Sequence, residues 1–190
     1  MKQINTYINE KLRLTNKRTY TCQPKDKYEL RKIILRRIED EDHECDLNDI
    51  DVSKITDMSW LFDANDNGYN DCAKLFKDFD GDISMWDVSN VKDMGAMFYN
   101  CKKFNGDLSK WNVSNVENMK FMFGGCEKFN CDVSKWDVSK VKNMNYMFSE
   151  CKKFNQDLNS WNVSNVKNMR LTFYECPTKP IWYDKDKWED

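Results

Sequence analysis

Cysteine is the residue type in this 190-residue chain with the widest possible chemistry, because eight cysteines could form disulfides or bind a metal. A zinc site is disfavoured, since His43 is the single histidine and no C-x-x-C pair occurs. Most of the cysteines recur at matching places in a repeated pattern, including Cys72 behind a local insertion and the set Cys101, Cys126, Cys151 and Cys176. We therefore predict free thiols that pack as small apolar residues in a repeated core.

Acidic and amide side chains also recur, in a way that could indicate calcium binding. Their columns are Asp82, Asp107, Asp132 and Asp157, and Asn105, Asn130 and Asn155. These acids lie a full repeat apart and lack interleaved glycines, so we predict hydrogen bonds from their side chains to turn backbone instead of a calcium site. The sequence has no nucleophile–base pair, no glycine-rich phosphate loop and no HExxH motif. We therefore expect no catalytic residues, no metal and no cofactor.

The overall charge narrows the classes of partner. A net charge of −2, a pI of 5.6 and a mean hydropathy of −0.85 argue against a general nucleic-acid binder.

No stretch has the apolar length of a membrane span. The first residues, MKQINTYINEKLRL, lack the apolar core and cleavage site of a signal peptide, which predicts a cytoplasmic protein.

These residues are positioned by a repeat of 25 residues, marked most clearly by Trp86, Trp111, Trp136 and Trp161. A fixed period of this length is typical of units that bury their apolar faces by stacking. The segment 46–62 aligns with 82–98, so we count five units, which begin at Asp46, Asp82, Asp107, Asp132 and Asp157. An insertion at about 63–78 separates units 1 and 2.

Each unit contains two hydrophobic patterns. Leu108, Trp111 and Val113 follow the L-x-x-L-x-L spacing of a leucine-rich-repeat strand. The next residues have helical spacing, after Ser114 and Glu117 in the positions of a capping box: Val116, Met119, Met122, Phe123 and Cys126. We therefore predict an α/β fold, a leucine-rich-repeat-like solenoid with a narrow parallel sheet and a short helix in each unit.

The ends of such an array need caps. We predict a helical N-terminal cap over 1–45, in which Leu30, Ile33, Ile34 and Ile38 form one stripe. The solenoid would then occupy 46–176. The remaining segment, 177–190, would cover the last unit with Trp182, Tyr183 and Trp188.

The run FNGDLSKWNVSNVENMKFMFGGCEKFN resembles the repeat of BspA-like leucine-rich-repeat proteins, also called the mycoplasma-type lipoprotein repeat. The resemblance extends from Asp46 to Cys176. It implies a repeat protein of bacterial or phage origin, because members are mostly bacterial surface or secreted proteins thought to bind host or partner proteins, with similar repeats in viruses and phage-like elements. It implies no catalytic residues.

The positions that vary between near-identical units indicate where a partner could bind. The second residue after the inward methionine points about 200° round a helix, away from the core. We call the resulting set the variable row, which comprises Ala96, Phe121, Tyr146 and Leu171, flanked by Tyr99 and Tyr174. The alternative site is the concave strand face, comprising Met85, Asp87, Lys110, Asn112, Lys135, Asp137, Ser160 and Asn162. The sequence does not decide between the two surfaces.

The predicted function is a non-catalytic module that binds another protein. One alternative is an intracellular inhibitor encoded by a phage or mobile element, which would bind and block a host protein such as a defence nuclease. A second is a structural protein that associates with copies of itself.

Overall fold

The structure, a computed structural model, describes residues 19–65 and 72–188. The described residues contain three helices: α1 (Lys27–Asp40), α2 (Ala73–Lys77) and α3 (Lys185–Trp188). No residue in those two ranges belongs to a β-strand. Most of the described chain therefore consists of turns and extended backbone arranged in stacked units.

Helix α1 packs its apolar face against the first unit. The Asp26 side chain begins the helix by accepting hydrogen bonds from the Tyr28 and Glu29 backbone N–H groups. Leu30 and Ile34 are fully buried in the common hydrophobic core. This helix supplies two long polar side chains, Lys27 and Arg31, which reach unit 1.

The units are joined by backbone hydrogen bonds between residues about one repeat apart. In units 3 and 4 the N–H groups of Met119, Phe121, Phe123 and Gly125 donate to carbonyl oxygens of Asn143, Asn145, Met147 and Ser149, at 2.8–2.9 Å. Isolated parallel bridges join Asp57 to Asp93 and continue through Asn118, Asn143 and Asn168. Consecutive units are thus stacked in register, although no run of bridges is long enough to form a strand.

The predicted leucine-rich-repeat solenoid with a parallel sheet is wrong, because its strands are absent from the described residues. The inward spacing of Leu108, Trp111 and Val113 has another cause. The Trp111 N–H donates to the Leu108 carbonyl and the Val116 N–H to the Val113 carbonyl, so two successive tight turns place these side chains inside. A pattern of i, i+3 and i+5 is produced by turns as readily as by a strand.

The predicted repeat helix is also wrong. Alternate N–H groups of its segment donate to the next unit, while those between them close turns, such as Met122 N–H to Met119 carbonyl at 3.1 Å. Phe121 and Gly125 have positive φ values of 58° and 76°, which a right-handed helix cannot contain. Ser114 accordingly caps no helix, and its N–H donates to the Asn112 side chain at 3.2 Å. The predicted fold class, a sheet solenoid with a helical cap over 1–45, is therefore wrong, although α1 forms and packs on unit 1; residues 1–18 of that cap lie outside the described residues.

The core consists of ladders of identical side chains. Trp86, Trp111, Trp136 and Trp161 are 4–5% exposed. Each indole N–H donates to a carbonyl of the preceding unit, as in Trp111 to Ile83 at 3.2 Å. Phenylalanine rings stack in a parallel ladder, with 5.6 Å between the ring centres of Phe98 and Phe123. The prediction of a buried tryptophan ladder is therefore confirmed.

The segment after unit 5 packs on the last ring of the phenylalanine ladder. The Trp182 and Tyr183 rings contact Phe173 edge-on, at centre distances of 5.8 and 5.1 Å. The Trp182 indole N–H donates to the Leu158 carbonyl at 2.8 Å, repeating the bond made by the tryptophan ladder. The apolar end of unit 5 is thereby covered by aromatic side chains.

Candidate functional site

A continuous series of aromatic rings runs along one side of the stack. The Trp60 ring contacts Tyr99 edge-on at 6.5 Å between centres, and Tyr99 contacts Phe121 at 5.2 Å. Phe121 and Tyr146 stack face to face at 4.6 Å. We define the aromatic strip as these four rings together with Tyr28, which lines a cavity beside Trp60, and Tyr174, which lines a groove beside Tyr146.

Five residues of the variable row and its flanks line one groove of about 220 Å³. They are Tyr99, Phe121, Tyr146, Leu171 and Tyr174. Tyr174 is 44% exposed, while the other four are half-buried. The groove floor includes Gly124 and Gly125, which leave room between the rings. The structure therefore brings most of the predicted row residues to one concave surface.

Ala96 is the exception, because only 1% of its surface is exposed. In its unit the ring of Tyr99, three residues later, contacts the neighbouring rings on both sides. In this unit the aromatic surface is therefore supplied by Tyr99 and not by Ala96. Ala96 is a core residue, and its assignment to an exposed row is wrong.

The strip extends further toward α1 than the variable row did. Tyr28 and Trp60 are 69% and 52% exposed and line a cavity of about 430 Å³ together with Lys27, Arg31 and Asp63. The sequence interpretation did not include either aromatic residue. The alignment of 46–62 with 82–98 already places Trp60 in the register of Ala96 and Phe121, so the repeat could have identified it.

The row residues occupy a strained backbone conformation. Trp60, Ala96, Phe121, Tyr146 and Leu171 all have positive φ, between 53° and 62°. Each is the third residue of a turn, a position that favours glycine or asparagine. The orientation of the row therefore results from left-handed turn residues, and the helical reasoning that placed it is wrong.

Burial and nearby charge raise the pKa of the Tyr99 hydroxyl, and a hydrogen bond with the Asn100 side chain opposes this shift. Burial raises the pKa of Tyr99, and the carboxylates of Glu150 and Asp63 raise this pKa further. Burial also raises the pKa of Asp63. A protonated phenol at the centre of the strip can donate a hydrogen bond to a bound group at neutral pH.

The alternative surface does not form as predicted, since the described residues contain no sheet to present a concave face. Its eight residues are all exposed. The side-chain oxygens of Asp87 and Asp137 accept bonds from Ser89 and Ser139 N–H groups at 3.1 and 3.0 Å. The same turn contact occurs at Asp82 and Asp107, two members of the repeated aspartate column, which confirms the predicted role of these acids in turns.

The cysteines form a ladder of buried thiols. Cys101, Cys126 and Cys151 are fully buried, and the thiols of Cys126 and Cys151 donate to the carbonyls of Phe98 and Phe123 at 2.9 and 3.0 Å. All eight cysteines are free, as predicted. Cys72 lies outside this ladder, at the start of α2. The described residues contain no group of three or more histidine, cysteine or acidic side chains that could hold a metal ion.

None of the helices in the described part of the chain has the length and apolar character needed to cross a membrane. Residues 67–185, more than half of the chain, match the family described as "Mycoplasma protein of unknown function, DUF285". None of the curated proteins and none of the solved structures compared with the chain matches it. The match does not confirm a BspA-like leucine-rich-repeat assignment, and the described backbone contradicts the leucine-rich geometry. The chain therefore belongs to the family of Mycoplasma proteins of unknown function, DUF285.

Proposed function

We propose that this protein is a non-catalytic module that binds another protein along the aromatic strip. The observation that carries the proposal is the unbroken series of contacts from Trp60 through Tyr99 and Phe121 to Tyr146, with a groove along its second half. Tyrosine and tryptophan are the side chains most enriched at energetic centres of protein interfaces. The strip offers them in a rigid array, which reduces the entropy lost on binding.

The backbone strain supports a role beyond folding. A left-handed conformation costs a non-glycine residue about 1–2 kcal/mol. Glycine or asparagine would be favoured on conformational grounds, yet Phe121 and Tyr146 hold large rings there. The same φ occurs at buried Ala96, so the turn belongs to the repeat, and it is the placement of large rings on such turns that favours a functional need for those side chains. The resemblance of the repeat to BspA-like proteins, thought to bind partner proteins, agrees with a binding role.

The test is a selection of peptide binders from a random library displayed on phage, using the full chain as bait. Enriched peptides are then synthesised and titrated against the wild type and against the double variant Phe121→Asn, Tyr146→Asn. Asparagine tolerates positive φ, so the variant keeps the turns while losing both rings. We expect binding to weaken by at least about 2 kcal/mol, or roughly 30-fold.

The matched control is Glu175→Asn, which places the same residue at another positive-φ position, φ 56°, outside the groove. This variant should bind the peptides as the wild type does. Failure to enrich any peptide, or equal binding by wild type and double variant, would contradict the proposal. Light scattering addresses self-association: a wild-type dimer that the double variant converts to monomer would identify a second copy of this chain as the ligand of the strip.

A further inference from the structure

A group of lysines lies close together on the surface of units 4 and 5. Lys140, Lys142 and Lys167 line a depression of about 380 Å³ with Glu117 and Asn165. The Lys142 ammonium pairs with Glu117 at 2.5 Å, and Lys140 donates to the neutral Asn115 amide at 2.7 Å. The lining of this depression therefore contains three ammonium groups and one carboxylate. We call these three residues the lysine cluster.

The lysine cluster lies within reach of a partner bound on the strip. Lys142 and Lys167 precede Tyr146 and Leu171 by four residues each, and four residues span at most about 14 Å. Lys120 directly precedes Phe121, and its ammonium lies 5.3 Å from the centre of the Phe121 ring. One ligand segment can therefore contact rings and ammonium groups together.

Building on the proposed function, we infer that the segment bound by the strip is an acidic peptide segment of a protein, with apolar side chains against the rings and carboxylates toward the lysine cluster. Complementary charge of this kind increases association rate and selects among partners.

The ring geometry favours a peptide over a single-stranded nucleic acid. Nucleobases bind proteins by stacking on aromatic faces. The Phe121 and Tyr146 rings are 4.6 Å apart and nearly parallel, with 5° between their planes, so the faces that meet are closed to a base. Both side chains are half-buried, and what they offer a partner is apolar ring surface suited to aliphatic and aromatic side chains.

The test uses three fluorescein-labelled probes and the full chain. They are a short peptide in which Glu and Leu alternate, the same peptide with Lys in place of Glu, and an oligothymidylate of similar length. We expect the Glu–Leu peptide to bind most tightly, and the double variant Lys140→Glu, Lys167→Glu to weaken it about tenfold. This variant leaves the Lys142–Glu117 pair in place.

The control is Lys128→Glu with Lys153→Glu, which makes the same change in net charge at exposed lysines outside the depression. This control should change the affinity less than twofold, and native tryptophan emission should confirm that both variants fold. Equal effects of the two variants, preference for the Lys–Leu peptide, tighter oligothymidylate binding, or no Glu–Leu binding would each overturn the inference. If library peptides still depend on Phe121 and Tyr146 in that case, the proposed function stands while the acidic ligand is wrong.

Discussion

Raising the pH should destabilise the protein through its buried thiols. Cys101, Cys126 and Cys151 are fully buried, and burial raises the pKa of each thiol well above its usual range. In the unfolded chain the same thiols have a pKa of about 8.5. The stabilisation is therefore fully present below that pH and is lost as the pH rises toward the folded-state pKa values.

The size of the effect follows from proton linkage. A difference of one bound proton changes the free energy of unfolding by about 1.4 kcal/mol per pH unit. Three thiols should therefore remove about 6 kcal/mol between about pH 7.5 and pH 10. This loss is comparable with the total stability of an ordinary domain, about 5–15 kcal/mol.

Urea unfolding, followed by tryptophan emission at about pH 7.5 and about pH 10, measures the effect in the wild type and in Cys126→Ser. Serine does not ionise in this range, and its hydroxyl can still donate to the Phe98 carbonyl that accepts from Cys126. Between the two pH values the free energy of unfolding should fall by about 2 kcal/mol less in the variant. Equal falls in the two proteins would refute the role assigned to the buried thiol.

Three further substitutions test the turns and the core. Trp111→Ala should lower the free energy of unfolding by about 3–5 kcal/mol in urea titrations. Trp111→Phe should lower it less, because this change mainly leaves the Ile83 carbonyl without its hydrogen-bond donor. Similar losses in the two variants would argue against packing of the indole ring as the main source of stability. Glu175→Gly should raise the free energy of unfolding by about 0.5–1 kcal/mol, because φ is 56° at this position. Lys128→Gly is the control, since Lys128 is not among the residues with positive φ, and it should lower the free energy of unfolding. A decrease in both variants would exclude relief of strain. Gly125→Ala should cost more than about 1 kcal/mol, because a Cβ would lie 2.2 Å from the Asn100 side-chain oxygen, and an unchanged melting temperature would contradict this geometry.

The sequence alone predicted which residues point into the core, but it did not predict the backbone conformation that directs them there. Trp111 and its equivalents were predicted to be buried because recurrence in a stacked repeat reflects shared packing, and that holds for any backbone that stacks. Strands and helices could not be distinguished from turns, since turns closed at Trp111 and Val116 place side chains inward at similar intervals. Hydrogen bonds between units determine the backbone conformation, and the spacing of apolar residues within one unit does not predict those bonds.

The candidate site was predicted in part for a reason that proved incorrect. Phe121 and Tyr146 were placed on the surface by helical phase, whereas positive φ at each position directs them there. Ala96 failed because a methyl group is short enough to be covered by neighbouring rings. Trp60 was overlooked although its register in unit 1 is the same. Positive φ at bulky residues has no signature in composition, so only the backbone could reveal it.

The in-register bonds between successive units have an evolutionary consequence. Met119 bonds to Asn143, and Met144 in turn bonds to Asn168, so each unit meets its neighbours through the same contacts. A recombination event that duplicates or removes one whole unit would preserve every junction. Each such event would add or remove one ring position on the aromatic strip. Copying a unit of this chain would thus change the length and chemistry of the aromatic strip without redesigning the core.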